Sequence, residues 1–407
     1  MKGGLRKIAT SLVWIAVAAL HSEAAVAGGP PPVSEDLKLN QNAIGNGGER
    51  LSAVGHRMLV GGSFGTNPYF YSEGTGWFIV GGPFAIGTVP ALSSSKLALA
   101  PPTDAIPGFT LSWSDTTGSM DLSSSVNLPL NGTSMAIDGR LLVVGDEDTG
   151  LVRGYSNNLG LWLQEFEQLN SVFFAGVGAA VALDGSRVVF GEPHLTTGQT
   201  GRVYQRFRNS SGTWVAFGDV TSPDEEVGNG FGSSISLSGP WMAVGAPFED
   251  TSFPQTAATD AGAVYLFRLG SFGFYQHQAT IYGNQNGQHF GADVELDGTT
   301  LVVGAPGEDT SQNPPTGVDR GAAYVFWRVG TAWTPVARLE ASDGAAGDAL
   351  GSAVEIVSGF VVAGAPQHNW GGGSSQGAIY LYEGLLGPLF ADGFESGNTD
   401  AWTATMP

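Results

Sequence analysis

The stretch "FGADVELDGTTLVVGAPGEDT" (residues 290–310) decides the fold, because "FGSSISLSGPWMAVGAPFEDT" (residues 231–251) matches it position for position. Weaker copies occupy residues 131–150, 177–196 and 350–369. Each copy places two short apolar runs on either side of a tight turn and ends at Gly-Ala-Pro or a related stop. The chain is therefore built from a repeated unit.

Two further copies lie upstream of these. "RLSAVGHRMLVGG" (residues 50–62) keeps the spacing of the strongest copies, and "IGTVPALSSSKLALAPPTD" (residues 86–104) carries Ala-Pro-Pro in place of Gly-Ala-Pro. The glycine position of the template then falls at 61, 100, 145, 191, 245, 304 and 364, a spacing of 39 to 60 residues. Self-similarity at such a period predicts a propeller or a solenoid.

Four strands are predicted inside each unit. Strand one, "VEL" (residues 294–296), turns through Asp297-Gly298, because Asp-Gly accepts the positive φ of a tight hairpin. Strand two, "LVVG", ends at Pro306, which has no N–H to donate. Strands three and four are "GAAYVF" (residues 321–326) and "AWTPVARL" (residues 332–339). Four consecutive antiparallel strands make one propeller blade.

The two ends of the repeat region predict how the fold closes. The last copy stops after its third strand at Glu383, and "DLKL" (residues 36–39) precedes the first copy without a partner of its own. This segment is predicted to supply the missing fourth strand, which would remove an open sheet edge. The sequence thus predicts an all-β fold, a seven-bladed β-propeller of four-stranded antiparallel blades closed by an N-terminal strand, over residues 28–383.

Composition sets limits on function. Residues 1–27 show the charged, apolar and small-residue order of a secretory signal peptide ending near Ala27, and no later run approaches the roughly 20 apolar residues of a membrane helix. Without residues 1–27 the chain has 14 Lys and Arg against 36 Asp and Glu, a net charge of −22. This charge excludes a nucleic-acid partner, because binding to phosphates needs a basic surface. The absence of Cys excludes disulfides and thiolate sites. We expect a secreted, periplasmic or cell-surface protein that does not span a membrane.

The motifs resemble those of the FG-GAP repeat family, which is named for Phe-Gly and Gly-Ala-Pro. Phe231-Gly232, Phe290-Gly291, Gly245-Ala246-Pro247, Gly304-Ala305-Pro306 and Gly364-Ala365-Pro366 carry the resemblance. It implies the propeller of integrin α-chains, in a short-loop variant found in secreted bacterial proteins, and by analogy a role in binding or cell adhesion. The family's calcium loop is not implied, because "LDGTTL" offers one Asp where calcium needs six or more oxygens. No metal and no cofactor are expected.

The loops after Gly-Ala-Pro and the loops entering the next Phe-Gly are predicted to share one face, because successive loops of a meander alternate between ends. That face would gather acidic and polar side chains, and loops on a rigid scaffold are where binding residues concentrate. The alternative is that these acids only fold their own loops and keep the protein soluble. The candidate ligand-binding residues are Asp146, Glu147, Asp148, His194, Glu249, Asp250, Glu308, Asp309 and His368.

No motif selects a reaction. There is no Ser-His-Asp order, no His-Glu-x-x-His and no phosphate-binding loop, so no catalytic residue is predicted and the protein is not expected to be an enzyme. The interpretation is an exported binding or adhesion module for a protein or glycan ligand, with its oligomeric state open. One rival is a hydrolase or lyase with unpartnered carboxylates at the channel mouth. The other is a structural, envelope-associated protein with shallow pockets.

The remaining residues, 384–407, match no part of the repeat. "LFADGFESGNTDAW" (residues 389–402) resembles a C-terminal tag on secreted proteins of certain Gram-negative bacteria, which implies a handling or sorting signal. The alternative is an end whose Phe390, Phe394 and Trp402 dock on the propeller.

Overall fold

The computed structural model describes residues 134–386 apart from 139, 159–160, 170–175, 194–198, 225, 252–256, 310–318, 358 and 370–375, and it describes the backbone of strands between 32 and 125. The predicted signal peptide, residues 387–407 of the tail and His194 lie outside the described residues. Within the described part every regular element is a β-strand, and no helix there is long and apolar enough to cross a membrane.

The strands up to residue 125 comprise two short ones and then two groups of four. They are β1 (Pro32–Ser34), β2 (Leu37–Asn40), β3 (Arg50–Val54), β4 (Arg57–Gly62), β5 (Gly65–Ser72), β6 (Gly76–Ile79), β7 (Val89–Leu92), β8 (Lys96–Ala100), β9 (Phe109–Ser114) and β10 (Ser119–Ser125).

The strands from residue 134 onward continue in fours and end on a group of three. They are β11 (Ser134–Asp138), β12 (Leu141–Asp146), β13 (Leu151–Asn158), β14 (Leu161–Leu169), β15 (Val181–Asp184), β16 (Arg187–Glu192), β17 (Arg202–Arg208), β18 (Trp214–Thr221), β19 (Ser234–Ser238), β20 (Trp241–Ala246), β21 (Ala263–Leu269), β22 (Tyr275–Tyr282), β23 (Val294–Asp297), β24 (Thr300–Ala305), β25 (Ala322–Val329), β26 (Ala332–Glu340), β27 (Ala353–Val357), β28 (Phe360–Ala365) and β29 (Ala378–Glu383).

Each group of consecutive strands forms one antiparallel meander. In chain order we call them sheet 1 (β3–β6), sheet 2 (β7–β10), sheet 3 (β11–β14), sheet 4 (β15–β18), sheet 5 (β19–β22), sheet 6 (β23–β26) and sheet 7 (β27–β29). The all-β prediction and the four-stranded antiparallel unit are confirmed, and such sheets are those of propeller blades. Strand β24 ends one residue before Pro306, and Gly298 has φ +57°, as the turn chemistry predicted.

The N-terminal strands join the last two sheets. Strand β2 pairs antiparallel with β29, with Leu37 opposite Leu381 and Asn40 opposite Ala378, which is the place predicted for the missing fourth strand. Strand β1 pairs parallel with β26 and adds a fifth strand to sheet 6. That second pairing was not predicted from the sequence.

The two glycines of the repeat motif explain how neighbouring sheets fit together. Gly291 has φ +90°, a conformation that side-chain-bearing residues avoid, and its N–H donates to the Gly304 carbonyl at 2.9 Å in the same sheet. A Cβ on Gly304 would overlap the carbonyl oxygen of Gly351 in sheet 7. A Cβ on Gly291 would in turn overlap the carbonyl oxygen of Ala263 in sheet 5, so both motif glycines permit close approach of backbone to backbone between sheets.

The core lies between the sheets rather than within one of them. Between sheets 6 and 7, Val325 and Leu339 pack with Tyr380 and Tyr382, all essentially fully buried. Tyr265 has the same role between sheets 4 and 5. Full burial of a large apolar side chain stabilises a fold by about 1.5–3 kcal/mol. These aromatic residues are inter-sheet core.

Candidate functional site

The candidate site lies on the loop face, which we define as the end of the sheets that carries the loops after Gly-Ala-Pro and the loops entering the next Phe-Gly. In sheets 5, 6 and 7 the residue four positions after the motif glycine is Glu249, Glu308 or His368. Each donates its backbone N–H to the carbonyl of the Ala before the proline, at 3.2 Å. This turn directs the side chain back into the protein, and all three side chains are buried.

In sheet 6, Glu308 accepts hydrogen bonds from three separate segments of chain. Tyr324 of β25 donates its hydroxyl at 2.5 Å, Gln288 of the entering loop donates Nε2 at 2.7 Å, and Arg338 of β26 donates Nε at 2.6 Å. Glu308 is 1% exposed, and its ion pair with Arg338 balances the buried negative charge. Arg338 also pairs with Glu340.

In sheet 5, Glu249 occupies the same position but faces different neighbours. Asn229 of the entering loop donates Nδ2 to Glu249 at 2.7 Å, and Tyr265 donates its hydroxyl to Asp224 at 2.8 Å. The residue of sheet 5 that corresponds to Arg338 is Thr280, since each lies opposite the strand-three tyrosine. Burial, reinforced by the negative charges of Asp224 and Glu226, raises the pKa of Glu249 to about 8.

In sheet 7, the same position is a histidine between two carboxylates. The Nδ1 of His368 lies 2.7 Å from Asp348 in the entering loop, and its Nε2 lies 3.7 Å from Asp343. Tyr380 of β29 donates its hydroxyl to Asp343 at 2.8 Å. The three sheets thus share one arrangement, a buried polar residue after Gly-Ala-Pro joined to the entering loop, with a tyrosine of strand three beside it.

Sheets 3 and 4 place their buried acid directly after the motif glycine. Asp146 is 1% exposed and accepts from the N–H of Asp148 and from the hydroxyl of Thr149, so it closes its own turn. Glu192 is 2% exposed and accepts the hydroxyl of Tyr204 at 2.6 Å. Here too the acid bonds to the scaffold.

The four predicted acids close to Asp146, Glu249 and Glu308 are less buried than these residues. Glu147, Asp148 and Asp250 are exposed, and Asp309 is half-buried. Asp250 accepts the N–H of Asp260 at 2.8 Å, which fixes its loop. The nine predicted ligand residues therefore divide into Asp146, Glu249, Glu308 and His368, which are buried in the scaffold, and four acids at the surface, with His194 outside the described residues.

Two sets of polar residues were not among the predicted ligand residues. The first are Asn229, Gln288 and Asp348, which stand two positions before Phe231, Phe290 and Leu350, a regularity that could have revealed them. The second are Asp293 and Glu295 of sheet 6. Asp293 accepts the N–H of Val354 in sheet 7, and Ser236 of sheet 5 donates to Glu295. Burial raises their pKa values to about 7 and about 8.

The described residues contain no group of three or more His, Asp or Glu side chains arranged to hold a metal ion. One groove, of about 350 Å³, lies between sheets 4 and 5 and is lined by Phe207, Phe217, Phe272 and Tyr275. It includes the turn residues Ser186 and Gly273 at the end opposite the loop face. The groove and the acids of the loop face are therefore separate features.

Comparisons with known proteins agree with the repeat. Residues 214–267, 283–326 and 333–382 match the family model described as FG-GAP repeat, which confirms the resemblance carried by the Phe-Gly and Gly-Ala-Pro motifs. No curated protein matches the sequence. Among solved structures, a chain in "Crystal Structure of Mitotic Checkpoint Complex" is similar, with a TM-score of 0.53 and 10% identity, covering 90% of this chain and 100% of that one. At that identity the likeness concerns the fold alone.

Proposed function

Because the chain carries FG-GAP repeats over residues 214–382, we propose that it is an exported, closed seven-bladed β-propeller that acts as a binding or adhesion module. Its ligand is a protein or a glycan, bound on the loop face without a chemical reaction. The observation that carries this proposal is the division of the acidic loops of sheets 3 and 5 into a buried acid bonded to the scaffold and an exposed acid beside it, with a half-buried acid at the same place in sheet 6.

Contacts between strands support the closed ring. The first strands of successive sheets lie side by side from β3 through β7, β11, β15, β19 and β23 to β27, and β27 lies beside β3. The pairing of β2 with β29 supports the same arrangement, because it covers the strand edge at which the ring would otherwise open. The likeness to a solved chain over 90% of this chain supports a single fold along most of its length.

The networks under the loops support recognition rather than catalysis. A buried acid such as Glu308, held by three donors, fixes the course of its loop and so the position of Asp309 next to it. Preorganised loops lose little conformational freedom on binding, which favours affinity. A hydrolase or lyase would instead require acids without structural partners converging on one pocket. The buried acids of the loop face described above all have protein partners.

Export is proposed from the N-terminal sequence alone. The apolar run between residues 12 and 20 follows three basic residues and precedes the small residues that end at Ala27. Fractionation of cells that express the full chain, with N-terminal sequencing of the product, tests this proposal. A product that retains residues 1–27 in the cytoplasm would contradict it.

A binding screen of the exported protein against glycans and envelope proteins, with a charge-matched pair of variants, tests the ligand face. D250N/D309N removes two charges from the loop face, whereas D297N/E383Q removes two from the opposite end. We expect the first variant to weaken binding at least about tenfold, because charged contacts contribute about 1.5–3 kcal/mol each, and the second to leave it unchanged. Retained binding by D250N/D309N would overturn the loop-face proposal.

A further inference from the structure

A seam between sheets 5 and 6, at the end opposite the loop face, brings together two arginines and two tryptophans. Arg268 lies opposite Trp241 across β20 and β21, and Arg328 lies opposite Trp333 across β25 and β26. Directly opposed residues of antiparallel strands share a face of the sheet. The two indole rings meet edge to face with centroids 5.8 Å apart, so both Arg–Trp pairs project into the same seam.

In the part of the chain that the structure describes, the two positive charges in the seam have no negative partner. The guanidinium carbon of Arg328 lies 4.8 Å from the ring centroid of Trp241 and 5.9 Å from that of Trp333. Burial and the nearby charge of Arg268 lower the pKa of Arg328. Among the residues that the structure describes, neither Arg268 nor Arg328 pairs with a carboxylate. This is unusual in a chain with a net charge of −20, where acids outnumber cations.

The seam also holds two buried hydrogen-bond donors. Nε of Arg328 and Nε1 of Trp333 are buried and have no hydrogen-bond partner in the described part of the chain. Within the described residues, the side chain of Arg328 makes one hydrogen bond, from Nη1 to the carbonyl of Gly330, at 2.9 Å. A buried donor left without an acceptor costs about 1–3 kcal/mol. An anion that accepts hydrogen bonds would both satisfy these donors and neutralise the positive charges of the two arginines.

We propose that this seam is a binding site for a carboxylate group, held by Arg328 and Arg268 and by the indole N–H of Trp333. A guanidinium presents a planar set of donors that matches the two oxygens of a carboxylate. The site is separate from the loop face, and it does not depend on the proposed function.

The carboxylate has two potential sources, a free or partner-borne acid and the chain's own C-terminal residues. Residues 387–407 contain Asp392, Glu395 and Asp400 and no Lys or Arg. The described part ends beside sheet 6, where the carbonyl of Leu385 accepts the indole N–H of Trp327 at 2.8 Å. The 14 residues from 387 to Asp400 reach at most about 50 Å when extended, which is ample for a neighbouring sheet.

The experiment follows the indole N–H resonance of Trp333 in the full exported chain by NMR, assigned with W333F, during titration with acetate at constant ionic strength. We expect a saturable downfield shift. R328Q should weaken the apparent affinity about tenfold or more, because a charge-assisted hydrogen bond contributes about 1.5–3 kcal/mol. R320Q, which removes an exposed arginine on the loop face, should leave the titration unchanged. If R328Q does not fold, the exposed Arg268 provides R268Q as the second variant.

The variant D392N/E395Q/D400N distinguishes the two sources of the carboxylate. If the chain's own acids occupy the seam, the Trp333 resonance moves in this variant before acetate is added, and acetate then binds more tightly than it does to the unsubstituted chain. If a free acid is the ligand, the variant titrates like the unsubstituted chain. Either result supports the site. A Trp333 resonance that acetate does not move in either protein, or an equal loss in R320Q and R328Q, would overturn it.

Discussion

Arg338 places its Nε 2.6 Å from a carboxylate oxygen of Glu308, and Glu308 is 1% exposed. The two residues lie 30 positions apart, on the last strand of sheet 6 and in the loop after its second strand. Tyr324 and Gln288 donate to the other oxygen of Glu308. This ion pair joins the loop face to β26, because neither charge could be buried there without the other.

The first prediction concerns that pair. Arg338→Met should lower the free energy of unfolding by about 3 kcal/mol, because it leaves the carboxylate of Glu308 buried without a cation. Urea unfolding followed by circular dichroism measures the change. The control is Arg153→Met, which breaks the more exposed pair of Arg153 with Glu167 and should cost under about 1 kcal/mol. Equal losses of unfolding free energy in the two variants would contradict the claim that burial makes the Arg338–Glu308 pair the stronger one.

The second prediction is a pH dependence at Glu249. Its pKa is about 8 in the folded protein against an ordinary 4.5, so between these values the folded chain keeps a proton that the unfolded chain has released. The free energy of unfolding therefore falls as pH rises through this window, by at most about 1.4 kcal/mol per pH unit from this one group. Chemical unfolding at pH 5, 6.5 and 8 should show a shallower decline for Glu249→Gln than for the unsubstituted chain.

The control for that experiment is Asp148→Asn, an exposed acid in the loop after β12, in a different sheet from Glu249. This change should leave the pH slope as it is. Part of the decline should persist in Glu249→Gln, because Asp293 and Glu295 also have raised pKa values. A slope identical in the Glu249→Gln variant and the unsubstituted chain would show that Glu249 is ionised in the folded protein.

The sequence predicts the strands well because their signals are local. The Asp297-Gly298 turn and the stop at Pro306 act within a few residues, and both appear where the repeat placed them. The repeat then extends the same assignment to weak copies such as β7 and β8, where Ala100 replaces the motif glycine. The parallel pairing of β1 with β26 has no such signal, because a three-residue strand carries no periodicity.

The local sequence pattern does not predict which acids of the loop face are buried. Glu308 and Asp309 are adjacent and chemically alike, yet only Glu308 is fully buried. What separates them is the turn after Gly-Ala-Pro together with Gln288, Tyr324 and Arg338, which come from other strands and loops. The sequence alone showed an acidic loop face, and tertiary contacts decide which acid bonds to the scaffold and which faces solvent.

A third prediction tests the contact between sheets at the motif glycine. Gly304→Ala should destabilise the protein by about 3 kcal/mol or more, because the added methyl would overlap the backbone carbonyl of Gly351, which cannot rotate away. The control is Gly298→Ala, where φ is +57° but the space is open, so only backbone strain of about 1 kcal/mol is expected. Thermal unfolding compares them, and a milder effect at Gly304 than at Gly298 would refute the close-contact explanation.

The last prediction tests closure by the N-terminal strand through its backbone alone. On an edge strand, successive N–H groups point alternately to the partner strand and to solvent. Lys38→Pro and Leu39→Pro should therefore differ sharply in how far they weaken the pairing of β2 with β29. Only one of the two residues donates its N–H to β29, and only its replacement removes a hydrogen bond. In the variant that loses this hydrogen bond, the amide hydrogens of β29 should exchange faster with solvent. The protein should also aggregate at a lower temperature, since a strand edge is exposed. Hydrogen exchange and light scattering give both readouts. Two equally harmless prolines would mean that β2 does not close the ring.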